Sequence, residues 1–149
     1  MRIIKFKRSD FIYPEYGIIN EEYVEPIKNK YTIHEIFHAI KNNKLQLSNK
    51  IPLKKLNPLP PTELNTHIYC SGLNYQSLAK ELNLKIPDTP IFFSKSLGTI
   101  TGAKDNIIYP ESTKLLDYEI ELAVIIGEKI TNDIIITDNN ITDYIFGIT

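Results

Sequence analysis

The stretch LLDYEIELAVII at residues 115–126 constrains the fold more than any other part of the sequence. Its apolar and β-branched residues favour a strand, and the run LAVIIG that ends it is apolar on both faces, as in a strand that enters the interior. Two glutamates, Glu119 and Glu121, interrupt this apolar pattern. In a strand their side chains would project from the same face, roughly 6–7 Å apart.

Two interpretations of this glutamate pair stay open. The pair can belong to the acidic, exposed face of an edge strand. Alternatively, the strand is buried, and neighbouring buried carboxylates must then be protonated or neutralised. A divalent cation that prefers hard oxygen ligands, such as Mg²⁺, Mn²⁺ or Ca²⁺, would neutralise them. Zn²⁺ fits less well because no histidine or cysteine lies nearby in the sequence.

The composition indicates a globular protein with neither a nucleic-acid partner nor a membrane partner. The chain has 149 residues, of which 42% are hydrophobic and 23% charged, enough for about one domain with a buried core. A net charge of −1 gives no basic patch for nucleic acid. No apolar run reaches the roughly 18 residues that span a membrane, and early charges exclude a signal peptide. The single cysteine, Cys70, fits a reducing compartment, so we expect a cytoplasmic protein.

Sequence patterns predict a β-dominated α+β fold in two parts. Residues 1–60 should form a small N-terminal domain of short strands, broken near Pro14 and Gly17, with one helix and a Pro-rich linker. The helix is predicted from four apolar residues at i, i+3, i+4 and i+7: Ile33, Ile36, Phe37 and Ile40. The remainder, 61–149, should contain a short helix within 74–84 and strands at 66–73, 89–95, 106–110, 117–127 and 133–137.

The predicted helix also contains HEIFH at residues 34–38, an H-E-x-x-H pattern. On a helix this spacing puts His34 and His38 on one face, where they could hold Zn²⁺ with Glu35 as the general base of a zinc peptidase. The third ligand would be His67 or a downstream carboxylate. Since so short a pattern often arises by chance, two surface histidines beside an apolar stripe are the simpler interpretation, and the peptidase is a lesser alternative.

From Pro61 to Thr149 the sequence resembles the fumarylacetoacetate hydrolase family in the order and spacing of four motifs. These are GLNY at 72–75, FSK at 93–95, DYEIELAVIIG at 117–127 and DYIFGIT at 143–149. The resemblance implies a mixed β-sandwich or β-roll catalytic domain behind a small N-terminal domain, assembled as a homodimer. It also implies a Mg²⁺- or Mn²⁺-dependent enzyme that hydrolyses, decarboxylates or isomerises a small 2-oxo or 2,4-dioxo acid, often from aromatic-compound breakdown.

The resemblance also implies roles for individual residues. Glu119 and Glu121 match two metal ligands, Lys95 matches a lysine near the substrate's anionic groups, and Glu81 matches the glutamate of a His–Glu pair. Leu78 stands at the position of that pair's histidine, and leucine cannot exchange a proton. The family takes a third carboxylate ligand from a segment downstream of this sequence, which implies a C-terminally incomplete member. The alternative is an inactive remnant, or a regulatory partner in complex with a full-length homologue.

Overall fold

The computed structural model describes residues 1–29, 31–63 and 65–149. Lys30 and Leu64, which the predicted domains include, lie outside the described residues. The chain divides into two compact units, the first made of residues 1–62 and 102–149 and the second of residues 63–101. The domain organisation proposed from the sequence, with a boundary after residue 60, stays a prediction.

The first unit is built on a five-stranded antiparallel sheet. Its strands, in chain order, are β1 (Ile3–Lys7), β2 (Glu15–Asn20), β3 (Tyr23–Pro26), β4 (Ile51–Pro52) and β5 (Asn57–Leu59). In space their order is β4-β3-β2-β1-β5, and one 3-10 turn at Leu53–Lys55 joins β4 to β5. The short N-terminal strands predicted from the sequence are confirmed, except that Gly17 lies inside β2 and not at a break.

One face of this sheet buries a cluster of apolar side chains from neighbouring strands. Phe6 and Val24 are fully buried there and pack with Leu56, which is 3% exposed. The pleat brings alternate residues to the same face, so the apolar positions of β1 and β3 meet on this side of the sheet.

The opposite face of the sheet supports helix α1 (Ile33–Lys41), which confirms the helix predicted from its apolar periodicity. Ile36 is fully buried against Tyr16 of β2 and Ile27. Burying such a side chain contributes about 1.5–3 kcal/mol, so this contact helps to hold the helix on the sheet.

A separate hairpin completes the first unit. Its strands β8 (Val124–Ile126) and β9 (Ile145–Ile148) pair antiparallel, with Val124 opposite Ile148. A 3-10 turn at Ile141–Asp143 leads into β9. Phe146 of β9 packs against the same cluster as Ile36, so the hairpin lies on helix α1.

The second unit contains one hairpin and one helix. β6 (Ile68–Gly72) pairs antiparallel with β7 (Ile91–Lys95), and α2 (Gln76–Glu81) lies between them in the chain. The predicted helix within 74–84 is thus confirmed but shorter. All five residues of β7 are exposed, including Phe92 at 68%. Large exposed apolar surface of this kind is typical of surfaces that contact another protein segment.

Three of the predicted strands differ from the structure. Residues 106–110 and 133–137 belong to neither helix nor strand, and of 117–127 only Val124–Ile126 is a strand. β-propensity reflects packing against neighbouring strands, and a strand exists only where another strand accepts its hydrogen bonds. Within the described part of the chain, residues 106–110, 117–122 and 133–137 pair with no strand, so propensity alone does not make them regular.

The predicted fold class is confirmed. The described residues contain nine strands and two short α-helices, a β-dominated α+β arrangement. None of the helices in the described ranges has both the length and the apolar character needed to cross a membrane.

Gly17 provides a test of the packing between β2 and β3. A Cβ added at Gly17 would overlap Cγ1 of Val24 and lie 3.0 Å from the carbonyl oxygen of Glu25. We expect Gly17→Ala to lower the free energy of unfolding by about 1–3 kcal/mol, as for other overpacked cores. Urea denaturation measures this loss.

Gly147 of β9 is the matched control for that substitution. A Cβ added there would meet no atom within 4 Å, so Gly147→Ala should leave the unfolding free energy unchanged or slightly raised. An equal loss of stability in both variants would contradict the proposed role of the close contact at Gly17.

Candidate functional site

Glu119 and Glu121 lie on an irregular segment directly before β8. Both side chains are exposed, which agrees with the first of the two interpretations of the pair and not with the buried one. The hairpin's backbone bonding extends one residue beyond β8, where Ala123 N donates to Thr149 O at 2.8 Å and Thr149 N donates to Ala123 O at 3.0 Å. The glutamate pair therefore ends two residues before the hydrogen-bonded part of the hairpin.

The donor chemistry of this pair fits a hard divalent ion. Two carboxylates offer oxygen ligands of the kind that Mg²⁺ and Mn²⁺ prefer, without a soft ligand. The third acid of the motif, Asp117, has one carboxylate oxygen that accepts a hydrogen bond from Tyr118 N at 2.8 Å. Glu119 and Glu121 could thus hold part of an ion's coordination shell, with water completing it.

The other two residues matched to the family lie in the second unit. Glu81 is the last residue of α2 and Lys95 the last of β7, and both are exposed. The Lys95 ammonium lies 5.2 Å from the centroid of the Phe93 ring. Leu78, at the position of the family's histidine, is 40% exposed on α2. Neither unit by itself therefore contains all four of the residues assigned from the sequence.

A different group of polar side chains is brought together in the first unit. His38 Nε2 lies 2.7 Å from Glu128 Oε2, and His34 Nδ1 lies 3.9 Å from Glu128 Oε1. The two imidazole rings meet edge to face with their centroids 4.4 Å apart. One ligand atom from each of the three residues lies within 4.8 Å of the others, and no other such group of three or more histidine, cysteine or acidic side chains occurs in the described ranges.

Helix α1 positions both histidines through its spacing and its N-terminal cap. Residues four apart lie on the same helical face, so His34 and His38 are neighbours. Thr32 caps the helix, since its side chain accepts a hydrogen bond from Glu35 N. The Glu35 carboxylate in turn accepts hydrogen bonds from Tyr31 N at 2.9 Å and Thr32 N at 3.1 Å. Glu35 completes a capping box, and this arrangement does not make it the general base of a peptidase.

The hairpin supplies the acidic partner because it packs closely on α1. The Phe37 and Phe146 rings meet edge to face with centroids 6.2 Å apart. A Cβ on Gly127 would lie 2.8 Å from Phe146 Cβ and 3.0 Å from Phe37 Cγ. The absence of a side chain at Gly127 therefore permits this approach, which carries the next residue, Glu128, to the histidines.

Sequence reasoning identified the two histidines and allowed for a downstream carboxylate, but it did not identify Glu128. The residue lies ninety positions after His38, and only tertiary packing brings the two together. The dipeptide Gly127–Glu128 ends an apolar strand, which by itself indicates a turn and no ligand.

The two possible roles of Glu35 can be separated by substitution. Glu35→Ala should lower the free energy of unfolding by about 1 kcal/mol because the capping box is lost. Glu35→Gln should keep most of that stability, since a glutamine carbonyl accepts the same backbone hydrogen bonds. Thermal and urea denaturation measure both. Equal destabilisation by the two variants, or peptide hydrolysis that Glu35→Gln abolishes, would contradict the capping role.

Comparison with known proteins places the second half of the chain in a family. Residues 67–149 match the family model described as fumarylacetoacetate (FAA) hydrolase, C-terminal. An uncharacterized protein of Methanocaldococcus jannaschii is 38% identical over 125 residues, which are 84% of this chain and 48% of that protein. Another from Archaeoglobus fulgidus is 40% identical over 100 residues, covering 67% of this chain and 38% of that protein.

A relative with a named activity covers a shorter stretch. The mitochondrial oxaloacetate tautomerase Fahd2a of Rattus norvegicus is 40% identical over 79 residues, which are 53% of this chain and 25% of that enzyme. The chain thus spans about half the length of the Methanocaldococcus relative and less of the other two. The residues that match the family model are nevertheless more than half of this sequence, and DYEIELAVIIG lies among them. The chain belongs to the fumarylacetoacetate hydrolase family.

Proposed function

We propose that the chain carries the acidic metal-binding segment of a fumarylacetoacetate hydrolase-family enzyme that acts on a small 2-oxo acid. The observation that carries the proposal is the match of residues 67–149 to the family, a stretch that includes Glu119 and Glu121. Both carboxylates are exposed and so open to an ion and a substrate.

The chemistry of a 2-oxo acid suits these residues. Its carboxylate and adjacent oxo group present two hard oxygens, and a proton leaves the next carbon when the enol forms. A Mg²⁺ or Mn²⁺ ion held by Glu119 and Glu121 would supply positive charge where the oxo oxygen becomes negative. Lys95 would bind an anionic group of the substrate, and Glu81 is the candidate to accept or return the proton.

Leu78 favours isomerisation over hydrolysis. Hydrolysis of a C–C bond needs an activated water molecule, and the family's histidine at this position would help to activate it. Leucine cannot take up that proton, whereas interconversion of keto and enol forms needs no attacking water. The relatives named as oxaloacetate tautomerases in Rattus norvegicus and Homo sapiens support the same reaction class. We therefore propose keto–enol isomerisation of a small 2-oxo acid. The single cysteine, Cys70, fits a reducing, cytoplasmic compartment for this proposed activity.

The proposal predicts metal-dependent turnover that depends on the glutamate pair. The enol absorbance of oxaloacetate, followed with and without Mg²⁺, measures tautomerisation by this chain. The double variant Glu119→Gln/Glu121→Gln should reduce the metal-dependent rate by about a hundredfold or more, because both charged ligands are lost. Glu111 is an exposed acid of the same unit, so Glu111→Gln is the matched control and should leave the rate unchanged. An unchanged rate in the double variant would reject the assigned roles.

A second candidate function is that of a non-catalytic partner of a full-length homologue, or of a second copy of this chain. Leu78 favours it because the acid–base pair is incomplete. The exposed strand β7 favours it as well, because apolar surface of that kind fits a protein contact.

Calorimetry and size-exclusion chromatography distinguish the two functions. A catalytic chain should bind Mg²⁺ through Glu119 and Glu121 with a dissociation constant at or below the millimolar range. A non-catalytic partner should show no such binding and should form a stable complex with a full-length family member. Turnover by the isolated chain would rule out the partner function as its sole role.

A further inference from the structure

We propose that His34, His38 and Glu128 form a binding site for a Zn²⁺-class transition metal that fastens helix α1 to the β8–β9 hairpin. The site shares no ligand with Glu119 and Glu121, and it does not depend on the proposed enzymatic function. It stands on a juxtaposition of two helical histidines with a carboxylate from the hairpin, all within 4.8 Å.

The distances are close to those that a metal ion requires. Zn²⁺ binds imidazole nitrogen at about 2.0–2.1 Å and carboxylate oxygen at about 2.0–2.2 Å, so tetrahedral ligand atoms lie roughly 3.3 Å apart. The His38 Nε2 to Glu128 Oε2 distance of 2.7 Å must lengthen slightly, and the widest separation of 4.8 Å must shorten. The side chains of His34 and His38 are 60% and 46% exposed, so their rotation meets little obstruction.

The ligand set selects the class of metal. Two imidazoles and one carboxylate suit Zn²⁺, Co²⁺, Ni²⁺ and Cu²⁺, whereas Mg²⁺ and Ca²⁺ prefer oxygen ligands alone. His34 Nδ1 also lies 3.3 Å from the carbonyl oxygen of Gly127. His34 could keep this contact while Nε2 binds the ion, or give it up and bind through Nδ1, the nitrogen that lies 3.9 Å from Glu128 Oε1. Metal-binding histidines commonly have such a backbone carbonyl partner, which orients the ring.

The surroundings leave room for further ligands. His34 and His38 line an open cleft of about 370 Å³ along helix α1, so water can complete a four-coordinate shell. Without metal, the 2.7 Å contact of His38 Nε2 with Glu128 Oε2 connects two side chains. A divalent ion bound between them would connect three side chains instead of two.

The proposed site joins two elements that already touch. Phe37 packs against Phe146, and Lys41 Nζ donates to the Asp143 carbonyl oxygen at 3.2 Å. Binding energy from an ion held by both elements would therefore stabilise their contact in the folded state, because the unfolded chain keeps the ligands far apart.

Zinc titration of the purified chain tests the site. Calorimetry should show one Zn²⁺ bound per chain with a dissociation constant of about 10 μM or tighter. His38→Ala and Glu128→Gln should each weaken binding by about tenfold or more, the range seen when metal-site partners are lost. In wild type, Zn²⁺ at about a hundredfold excess over the dissociation constant should raise the melting temperature by several degrees, and at the same Zn²⁺ concentration this rise should be about half as large or smaller in both variants.

Two controls separate this site from other zinc-binding groups. His67→Ala removes the remaining histidine, which is exposed in the second unit, and should leave zinc affinity unchanged. The double variant Glu119→Gln/Glu121→Gln should also leave the zinc affinity unchanged while it removes Mg²⁺-dependent turnover. The zinc site and the enzymatic function can therefore be rejected independently of each other. Zinc affinity unchanged in both His38→Ala and Glu128→Gln, an equal loss in His67→Ala, or no zinc binding by wild type would overturn the proposal. Circular dichroism confirms that each variant is folded.

Discussion

The burial of Ile36 against Tyr16 and Ile27 is the contact on which the rest of the first unit depends. It holds helix α1 on the five-stranded sheet and turns the helix so that its polar histidines face away from that contact. The β8–β9 hairpin then adds Phe146 to the same cluster. A single apolar cluster therefore orders sheet, helix and hairpin, and the polar group formed by the histidines and Glu128 is a consequence of that order.

The sequence predicts local structure well where a helix or strand depends mainly on its own residues. Helix α1 follows from its apolar periodicity, and the early strands from short apolar runs between turns. The Thr32–Glu35 cap is a helix-start pattern that can be read directly from the sequence. The family, too, is identified from motif order, because several short motifs at fixed spacing rarely occur together by chance.

Prediction fails where a residue's environment depends on distant parts of the chain. The apolar run around Glu119 has the propensity of a strand, but its first half lacks a neighbouring strand in the described residues, so both glutamates are exposed. Glu128 meets His38 only because a glycine lets two aromatic side chains come together. Neither outcome is encoded in local periodicity, since each depends on what packs against the segment.

Gly127 has a consequence for how such a metal site could arise or disappear in evolution. A mutation there that adds a side chain would move the hairpin from the helix and withdraw Glu128, although all three ligand residues would remain in the gene. The dipeptide Gly127–Glu128, taken together with the two helical histidines, would thus identify such a metal site in a genome more specifically than H-E-x-x-H alone. This dipeptide could sort family members into those that can bring a carboxylate to the two histidines and those that contain the histidines alone.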